Sequence, residues 1–281
     1  MKIGLLGPDG TFTAEAGFRY CKKKNMKTEI IWYNSIEKCF DGVDKEEVER
    51  AVVPILNSTA DASWVNETLK KLRNNGAVIC DEQILDIRHN LLVLPRTKLE
   101  DIVYIHSKDK AIQQCKKYLS RYLSKAELVN ENSTAYAAMK IKEIGEKSRA
   151  AIATLRAAEL YGLKVLGRGI QDDQRNKTRF IVVGKKDSER TGRDKTTLLF
   201  EFKDVARSGI LVDVLKEFSS REISLAYLQS LPKEGSLDEF TFYCDILGHR
   251  EDENVREALR IIGDYKNLAF FKILGSYPVS A

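Results

Sequence analysis

Lys2-Ile3-Gly4-Leu5-Leu6-Gly7-Pro8-Asp9-Gly10-Thr11 opens the chain in the order of an apolar strand, a loop dense in turn residues and the cap of a helix. From Thr11 to Lys24 the apolar residues recur at helical spacing, with Thr11 or Thr13 as N-cap. The unit returns twice. Arg50 to Ile55 is strand-like and is followed by a polar loop, Asn57 to Ser63, and an amphipathic Val65 to Leu72. Ala150-Ala151-Ile152-Ala153 then leads to Thr154, which caps a helix ending at Gly162. Repeated strand, loop and helix predicts an α/β sheet, whose ligands collect where strand ends meet helix N-termini.

Between Lys185 and Lys195 no residue carries a large apolar side chain, and the stretch reads as a linker. Beyond it the pattern changes to strand Thr196 to Phe202, helix Gly209 to Ser220, strand Ile223 to Leu231, strand Phe240 to Leu247, helix Glu251 to Ile262 and strand Leu268 to Leu274. That is βαββαβ, the ferredoxin-like order. The reading is therefore two domains, residues 1–186 and 196–281, which suits a chain of 281 residues. Small units of this kind pair to cover an open sheet or edge, so a homodimer or homotetramer is expected.

A hydrophobic fraction of 43% against 31% charged residues excludes wholesale disorder. No apolar run approaches the ~20 residues of a membrane span. Gly and Pro break the apolar start too early for a signal peptide, so a cytoplasmic protein is expected, with no membrane partner. Forty-six Lys and Arg against forty-one Asp and Glu leave +5, spread along the chain except at Lys22-Lys23-Lys24. That charge argues against nucleic acid and permits an anionic small substrate. Five cysteines without C-x-x-C spacing read as reduced thiols. His89, His106 and His249 are too far apart for a metal pair, and Gly4, Gly7 and Gly10 do not make G-x-G-x-x-G. No metal or other cofactor is expected. His89, before an apolar run, reads as a packing or hinge residue.

Several segments resemble one family, the prephenate dehydratases. Gly7-Pro8-Asp9-Gly10-Thr11-Phe12-Thr13 is similar to its Gly-Pro-x-Gly-Thr-Phe-Ser, and Val53-Pro54-Ile55-Leu56-Asn57-Ser58 to its Val-Pro-Ile-Glu-Asn-Ser. Ile170-Gln171-Asp172 followed by Asn176-Lys177-Thr178-Arg179-Phe180 is the most specific match. Ile87-Arg88-His89, Ser133-Thr134-Ala135, Ala157 to Leu163 and Leu274-Gly275-Ser276-Tyr277-Pro278 support it in the same order. The resemblance implies a two-lobed catalytic domain like a periplasmic binding protein, with the site in the cleft. Residues from about 82 to 168 would form the inserted lobe, the chain crossing back near Gln171. An ACT regulatory domain would follow, with phenylalanine as effector and oligomers formed through it. Because the matches run from residue 1 to Pro278, a stand-alone enzyme is expected.

The reaction so implied removes carbon dioxide and water from prephenate and leaves phenylpyruvate. It calls for groups that hold a dianion and assist a departing hydroxyl. By resemblance Thr178 is the catalytic hydroxyl; by strand propensity alone it equally fills a β-strand. Arg179 is suited to bind a carboxylate bidentately, yet alternation along a regular strand puts it on the face opposite Thr178, where it would support the site from behind. Asn176 shares the face of Thr178 and is expected on substrate, with Phe180 completing the motif. Thr11 and Phe12 open a helix whose free N–H groups favour an anion, although ordinary capping fits as well. Asn57, Ser58, Ser133 and Thr134 suit caps or ligands equally, and the resemblance favours ligands.

Three departures stand out. The glutamate of the family motif is Leu56 here, and the loop from Thr59 to Trp64 reads as longer. Ser-His-Pro corresponds to Ser107-Lys108-Asp109, a fixed cation for a titratable ring. In the second domain Gly209-Ile210-Leu211-Val212 keeps the effector-binding pattern, but Glu-Ser-Arg-Pro has become Gln229-Ser230-Leu231-Pro232, and the asparagine before it is Ser224. Phenylalanine control is thus open. So are arogenate as substrate, a prephenate decarboxylase, and a silent small-molecule sensor on the same scaffold.

Overall fold

The computed structural model describes residues 1–59, 63–204, 207–233, 235–236 and 238–280, and only the backbone of 63–66. The chain runs β1 (Lys2–Leu6), α1 (Phe12–Lys23), β2 (Glu29–Tyr33), α2 (Ile36–Asp44), β3 (Arg50–Asn57), α3 (Ser63–Asn74) and β4 (Val78–Asp86). It continues through β5 (Asn90–Val93), β6 (Tyr104–Ser107), α4 (Asp109–Gln113), α5 (Lys116–Tyr122), β7 (Glu127–Asn130), α6 (Thr134–Ile144), β8 (Arg149–Ala153), α7 (Leu155–Tyr161) and β9 (Lys164–Gly167). After β10 (Lys177–Gly184) come β11 (Asp194–Phe202), α8 (Ile210–Ser219), β12 (Leu225–Pro232), β13 (Phe240–Leu247), α9 (Glu253–Gly263) and β14 (Leu268–Pro278).

Among the described residues these strands make three sheets, ordered β2-β1-β3-β10-β4, β7-β6-β8-β5-β9 and β12-β13-β11-β14. The first two are lobes of one plan. In each, three parallel strands are followed by two more, and the fourth position runs antiparallel to both neighbours. The inserted lobe begins after Asp86 rather than near residue 82, because all of β4 is paired to β10 in the first sheet. The return crossing lies where the resemblance put it: Gln171 Oε1 accepts from His89 N at 3.0 Å, and Ile170 N donates to His89 O at 2.9 Å.

Local signals explain most helix ends. The Thr11 side chain accepts from Ala14 N, Ser133 from Tyr136 N and Thr154 from Ala157 N. Gly162 closes α7 at φ +62, a conformation that costs a residue with a Cβ. All five cysteines are buried and unpaired.

The third sheet has the ferredoxin-like order, with α8 and α9 packed on one face around Phe200, Val214, Phe218 and Leu259. Its other face is not left open. Leu199, Leu231, Tyr243, Leu274 and Tyr277 share one core with Leu72, Ile79, Ile181 and Val183 of the first lobe. The stretch read as a linker is fastened to this junction. Ser188 N donates to Ser276 O at 3.3 Å, Arg250 pairs with Asp187 at 2.7 Å, and Asp194 already belongs to β11.

The motif near the C-terminus lies inside β14, which runs to Pro278 rather than ending at Leu274. At Gly275 an added Cβ would lie 2.1 Å from the backbone oxygen of Ile79, so β14 can cross β4 this closely only with glycine there. Gly275→Ala is expected to cost about 1–3 kcal/mol, since the obstructing atom is backbone and cannot turn aside. Urea unfolding of the purified variant measures it.

Candidate active site

A cavity of about 310 Å³ opens between the two lobes, at the small end of ligand pockets. The first lobe contributes the ends of β1 and β3, the start of β10 and the first turn of α1; the second contributes the segments after β6 and β7. Two helix N-termini, of α1 and α6, therefore face one space from opposite lobes. A helix start leaves four N–H groups without internal partners, and Thr11 and Ser133 each cap one, so donors remain for an anion. Capping and lining, posed as alternatives in the sequence, are both served by these residues. The lobes are latched beside the cavity. Arg156 grips Asp9 bidentately at 2.6 and 2.7 Å, and Thr154 Oγ1 donates to Gly10 O at 2.7 Å.

Thr11, Phe12, Asn57, Ser133, Thr134, Thr178 and Phe180 line this cavity. Three other expected contacts do not. Asn176 is buried behind Asn57, its Oδ1 accepting from Asn57 Nδ2 at 3.0 Å. Ser58 faces away and pins the end of β3, bonding Lys177 N at 2.9 Å and Arg175 O at 3.4 Å. Arg179 is turned to the far side of the sheet, as regular alternation requires. Leu56, opposite Arg179 in the register, likewise packs against the core shared with the third sheet. The isobutyl group that replaces the family's glutamate is therefore absent from the cavity wall. The longer loop read at Thr59 to Trp64 falls on residues 60–62, which lie outside the described ones, and on a side chain, Trp64, that does too.

A line of hydrogen bonds crosses the cleft to Thr178, and its direction can be worked out. Thr59 N–H can only donate, so the atom of Asn57 it meets at 3.0 Å is Oδ1. The Thr59 hydroxyl must then donate to that oxygen as well, which leaves it to accept from Gln114 Nε2 at 3.1 Å. Gln114 Oε1 consequently faces His89 Nε2 at 2.8 Å, and the imidazole donates. At the other end Asn57 Nδ2 donates to Thr178 Oγ1 at 2.8 Å. The Thr178 oxygen accepts, so its own proton is free to point into the cavity. Burial pushes His89 below its ordinary pKa and the Gln114 contact offsets only part, in keeping with a neutral ring edge-on to Phe12 at 5.6 Å. Gln114 and Thr59 were not among the expected site residues, because neither lies in a segment that resembles the family motifs.

Arg179 instead holds the junction of the first and third sheets together. Its Nε lies 2.6 Å from Glu82, Nη1 lies 2.5 Å from Asp245 of β13, and Nη2 donates to Tyr277 of β14. Lys195 reaches Glu82 at 3.0 Å, and Thr197 donates to Asp245 at 2.7 Å. Burial would raise Glu82, but Arg179 and Lys195 together hold it below the usual carboxylate range. Burial likewise pushes the Tyr243 and Tyr277 hydroxyls well up, so both stay protonated.

The regulatory candidates fall on two places in the third sheet's unit. Gly209 is the left-handed N-cap of α8 at φ +80; Ile210 and Leu211 pack into that unit's core, and Val212 is exposed. On the edge strand β12, Gln229 accepts from Tyr227, Ser230 is exposed, and Leu231 lies buried in the core shared with the first lobe, beside Pro232. Ser224, just before it, bonds Leu247 N through its carbonyl at 2.9 Å. A leucine rather than an arginine at 231 thus suits an apolar environment.

A family model described as prephenate dehydratase matches residues 3–188. The bifunctional chorismate mutase/prephenate dehydratase of Neisseria gonorrhoeae is 34% identical over 280 residues, which cover 100% of this chain and 75% of that one. The prephenate dehydratase of Methanocaldococcus jannaschii is 31% identical over 274 residues, covering 97% and 96%. A solved prephenate dehydratase from Arthrobacter aurescens, in complex with L-Phe, aligns with a TM-score of 0.86 at 30% identity and covers 99% of this chain and 90% of its own. Together with the two latched lobes and the fold of the third sheet, these matches show that the chain belongs to the prephenate dehydratase family.

Proposed function

We propose that the cleft cavity holds prephenate and converts it to phenylpyruvate, carbon dioxide and water, making the chain a lyase of phenylalanine biosynthesis. In that reaction the bond from the ring to its carboxylate breaks, the electron pair enters the ring, and the C4–oxygen bond breaks as the ring becomes aromatic. A proton completes the departing hydroxide as water. The enzyme's task is to hold the dianion and to stabilise charge on the leaving oxygen. The observation that carries this reading is the directed line ending at Thr178, which leaves one hydroxyl proton aimed into a cavity faced by two helix N-termini. A threonine is too weak an acid to give its proton up freely, so hydrogen bonding is its role. Leu56 lies off the cavity wall, which favours dehydration over decarboxylation with the hydroxyl retained.

Turnover of prephenate by purified protein, followed by the ultraviolet absorbance of phenylpyruvate, is the test. Consumption of prephenate without phenylpyruvate would instead establish a decarboxylase. Gln114→Leu is expected to lower kcat/KM about tenfold, because it leaves His89 Nε2–H and the Thr59 hydroxyl without their partner and frees Asn57 to turn. Steady-state kinetics at matched folding, checked by circular dichroism, measures it.

The C-terminal ferredoxin-like unit is the proposed regulatory part, with L-phenylalanine as effector and a homodimer or homotetramer formed through it. Val212, Leu225 and Leu247 are exposed apolar side chains of this unit, and β12 is an unpaired edge. Inhibition by added phenylalanine and sedimentation of the full chain test the two parts. Among the described residues no helix is long and apolar enough to cross a membrane.

A further inference from the structure

A charged cluster lies behind the second-lobe wall of the cavity, apart from the line that ends at Thr178. Glu131 follows β7 and is buried, 9% exposed, directly before Asn132, Ser133 and Thr134, which line the cavity. Its Oε1 meets His106 Nδ1 of β6 and Lys140 Nζ of α6, both at 2.9 Å. Arg149, at the start of β8, approaches the other ring nitrogen, His106 Nε2, at 3.0 Å. A guanidinium can only donate, so Nε2 accepts and the ring proton sits on Nδ1, where it donates to Glu131. Burial would raise the Glu131 carboxyl, but the hydrogen bonds from His106 and Lys140 hold it below the usual carboxylate range. We propose that Glu131, aligned by His106 and Lys140, is a positioning residue for substrate: it holds the N-terminus of α6 where the helix's free N–H groups meet the bound anion. The inference rests on the dehydratase reading and adds to that site a group that does not itself touch substrate.

The shape of this clamp carries the proposal. From Glu131 the chain passes through Asn132 to the cap Ser133 and into α6, and Lys140, further along that helix, reaches back to the carboxylate where the loop began. Loop, helix start and ion pair thus close a ring. The backbone of the same stretch holds the neighbouring wall. Glu131 N donates to Ser107 O at 2.9 Å, just before Lys108 of the cavity, and Asn130 Oδ1 accepts from Asp109 N, at the start of α4, at 2.9 Å. The segments after β6 and β7 that line the cavity are therefore both fixed from residues 130–131. A buried carboxylate is tolerated only where its partners are held in place, which makes the ring stiffer than a solvated loop. An anion gains from a helix N-terminus only when the donors meet it at hydrogen-bond distance. Loosening the clamp should therefore weaken substrate binding more than it slows the step at Thr178, which belongs to the other lobe.

The experiment measures kcat and KM for prephenate in the wild type, Glu131→Gln, Lys140→Met, Lys140→Arg and the double variant Glu131→Gln/Lys140→Met, with urea unfolding and calorimetric binding of prephenate alongside. Glu131→Gln and Lys140→Met are each expected to raise KM about tenfold with kcat within about threefold of wild type, because each removes the charge-assisted bond that closes the ring. Lys140→Arg keeps the charge and its donors and should hold KM within about threefold. The double variant should be no worse than the worse single one, since both break the same contact. Lys140 is partly exposed and its replacement leaves His106 on Glu131, so Lys140→Met serves as the test if Glu131→Gln does not fold. Lost stability with KM unchanged, a fall confined to kcat, or KM effects that multiply in the double variant overturns the proposal and leaves the dehydratase reading in place. If the wild type does not turn prephenate over, the dehydratase reading fails and calorimetry decides the clamp by itself. Binding weakened about tenfold in Lys140→Met supports it, and binding that is unchanged, or absent in the wild type, ends it.

Discussion

Thr178→Ala is expected to lower kcat for prephenate by about 10²–10³-fold while KM changes by only a few-fold, the size of effect seen when one donor to a developing oxyanion is removed. The reason lies in the order of the hydrogen bonds. Asn57 Nδ2 donates to Thr178 Oγ1 at 2.8 Å, so the hydroxyl enters the reaction already polarised, with its proton directed away from Asn57. On the proposed reading its charge-stabilising contact would be made to an oxygen that carries little charge in the bound substrate and much more as the bond breaks. Removing it should therefore appear in kcat rather than in KM. Thr178→Ser keeps the hydroxyl and should retain activity within about tenfold, the loss coming from the freer χ1 of serine. Steady-state kinetics of the two variants decides the matter. A kcat in Thr178→Ala within threefold of wild type would remove Thr178 from the chemistry.

The second large effect is on stability. Arg179→Met is expected to cost about 3–5 kcal/mol, because among the described residues the substitution leaves Glu82 with Lys195 as its remaining ion-pair partner and Asp245 with none, both in the buried junction. The pH dependence follows from Glu82. In the wild type its folded pKa lies below the unfolded value, so it contributes stability above the unfolded pKa, and that contribution is lost as pH falls through the folded pKa. Taking Arg179 away removes one of the two charges that outweigh burial and lifts the folded pKa. The stability gap between variant and wild type should consequently be widest near neutral pH and shrink as pH falls below about 4. Urea unfolding at pH 7 and pH 3 measures both. A gap that widens on acidification would contradict this account. Because β10 carries Arg179 next to Thr178, a drop in kcat is expected to accompany the loss of stability.

Much of the architecture was written locally. The strand, loop and helix at the start, the caps at Thr11 and Thr154, the stop at Gly162 and the βαββαβ order of the second half depend on periodicity and on hydrogen bonds within a few residues, and those signals survive in a bare sequence. The period-two alternation of β10 also placed Thr178 and Asn176 on one face and Arg179 on the other. It could not say what covers each face. That the far face meets a third sheet, which gives Arg179 its acidic partners and buries Leu231, is settled by side chains far apart in the chain, as in the pairing of Arg179 with Asp245. Asn176 was expected on substrate because the strand period puts it on the face of Thr178, and Ser58 because its segment resembles the family's, whereas the turn of the chain at the crossing puts one behind Asn57 and the other outside. The roles of Gln114 and Thr59 became legible only when the second lobe was laid over the first. The sequence by itself determined the elements and the family, since both are carried by short-range patterns. That Gln114 joins the expected residues at the cleft, and that Asn176, Ser58 and Arg179 do not, was decided by the tertiary structure, because it depends on the packing of two lobes and a third sheet against one another.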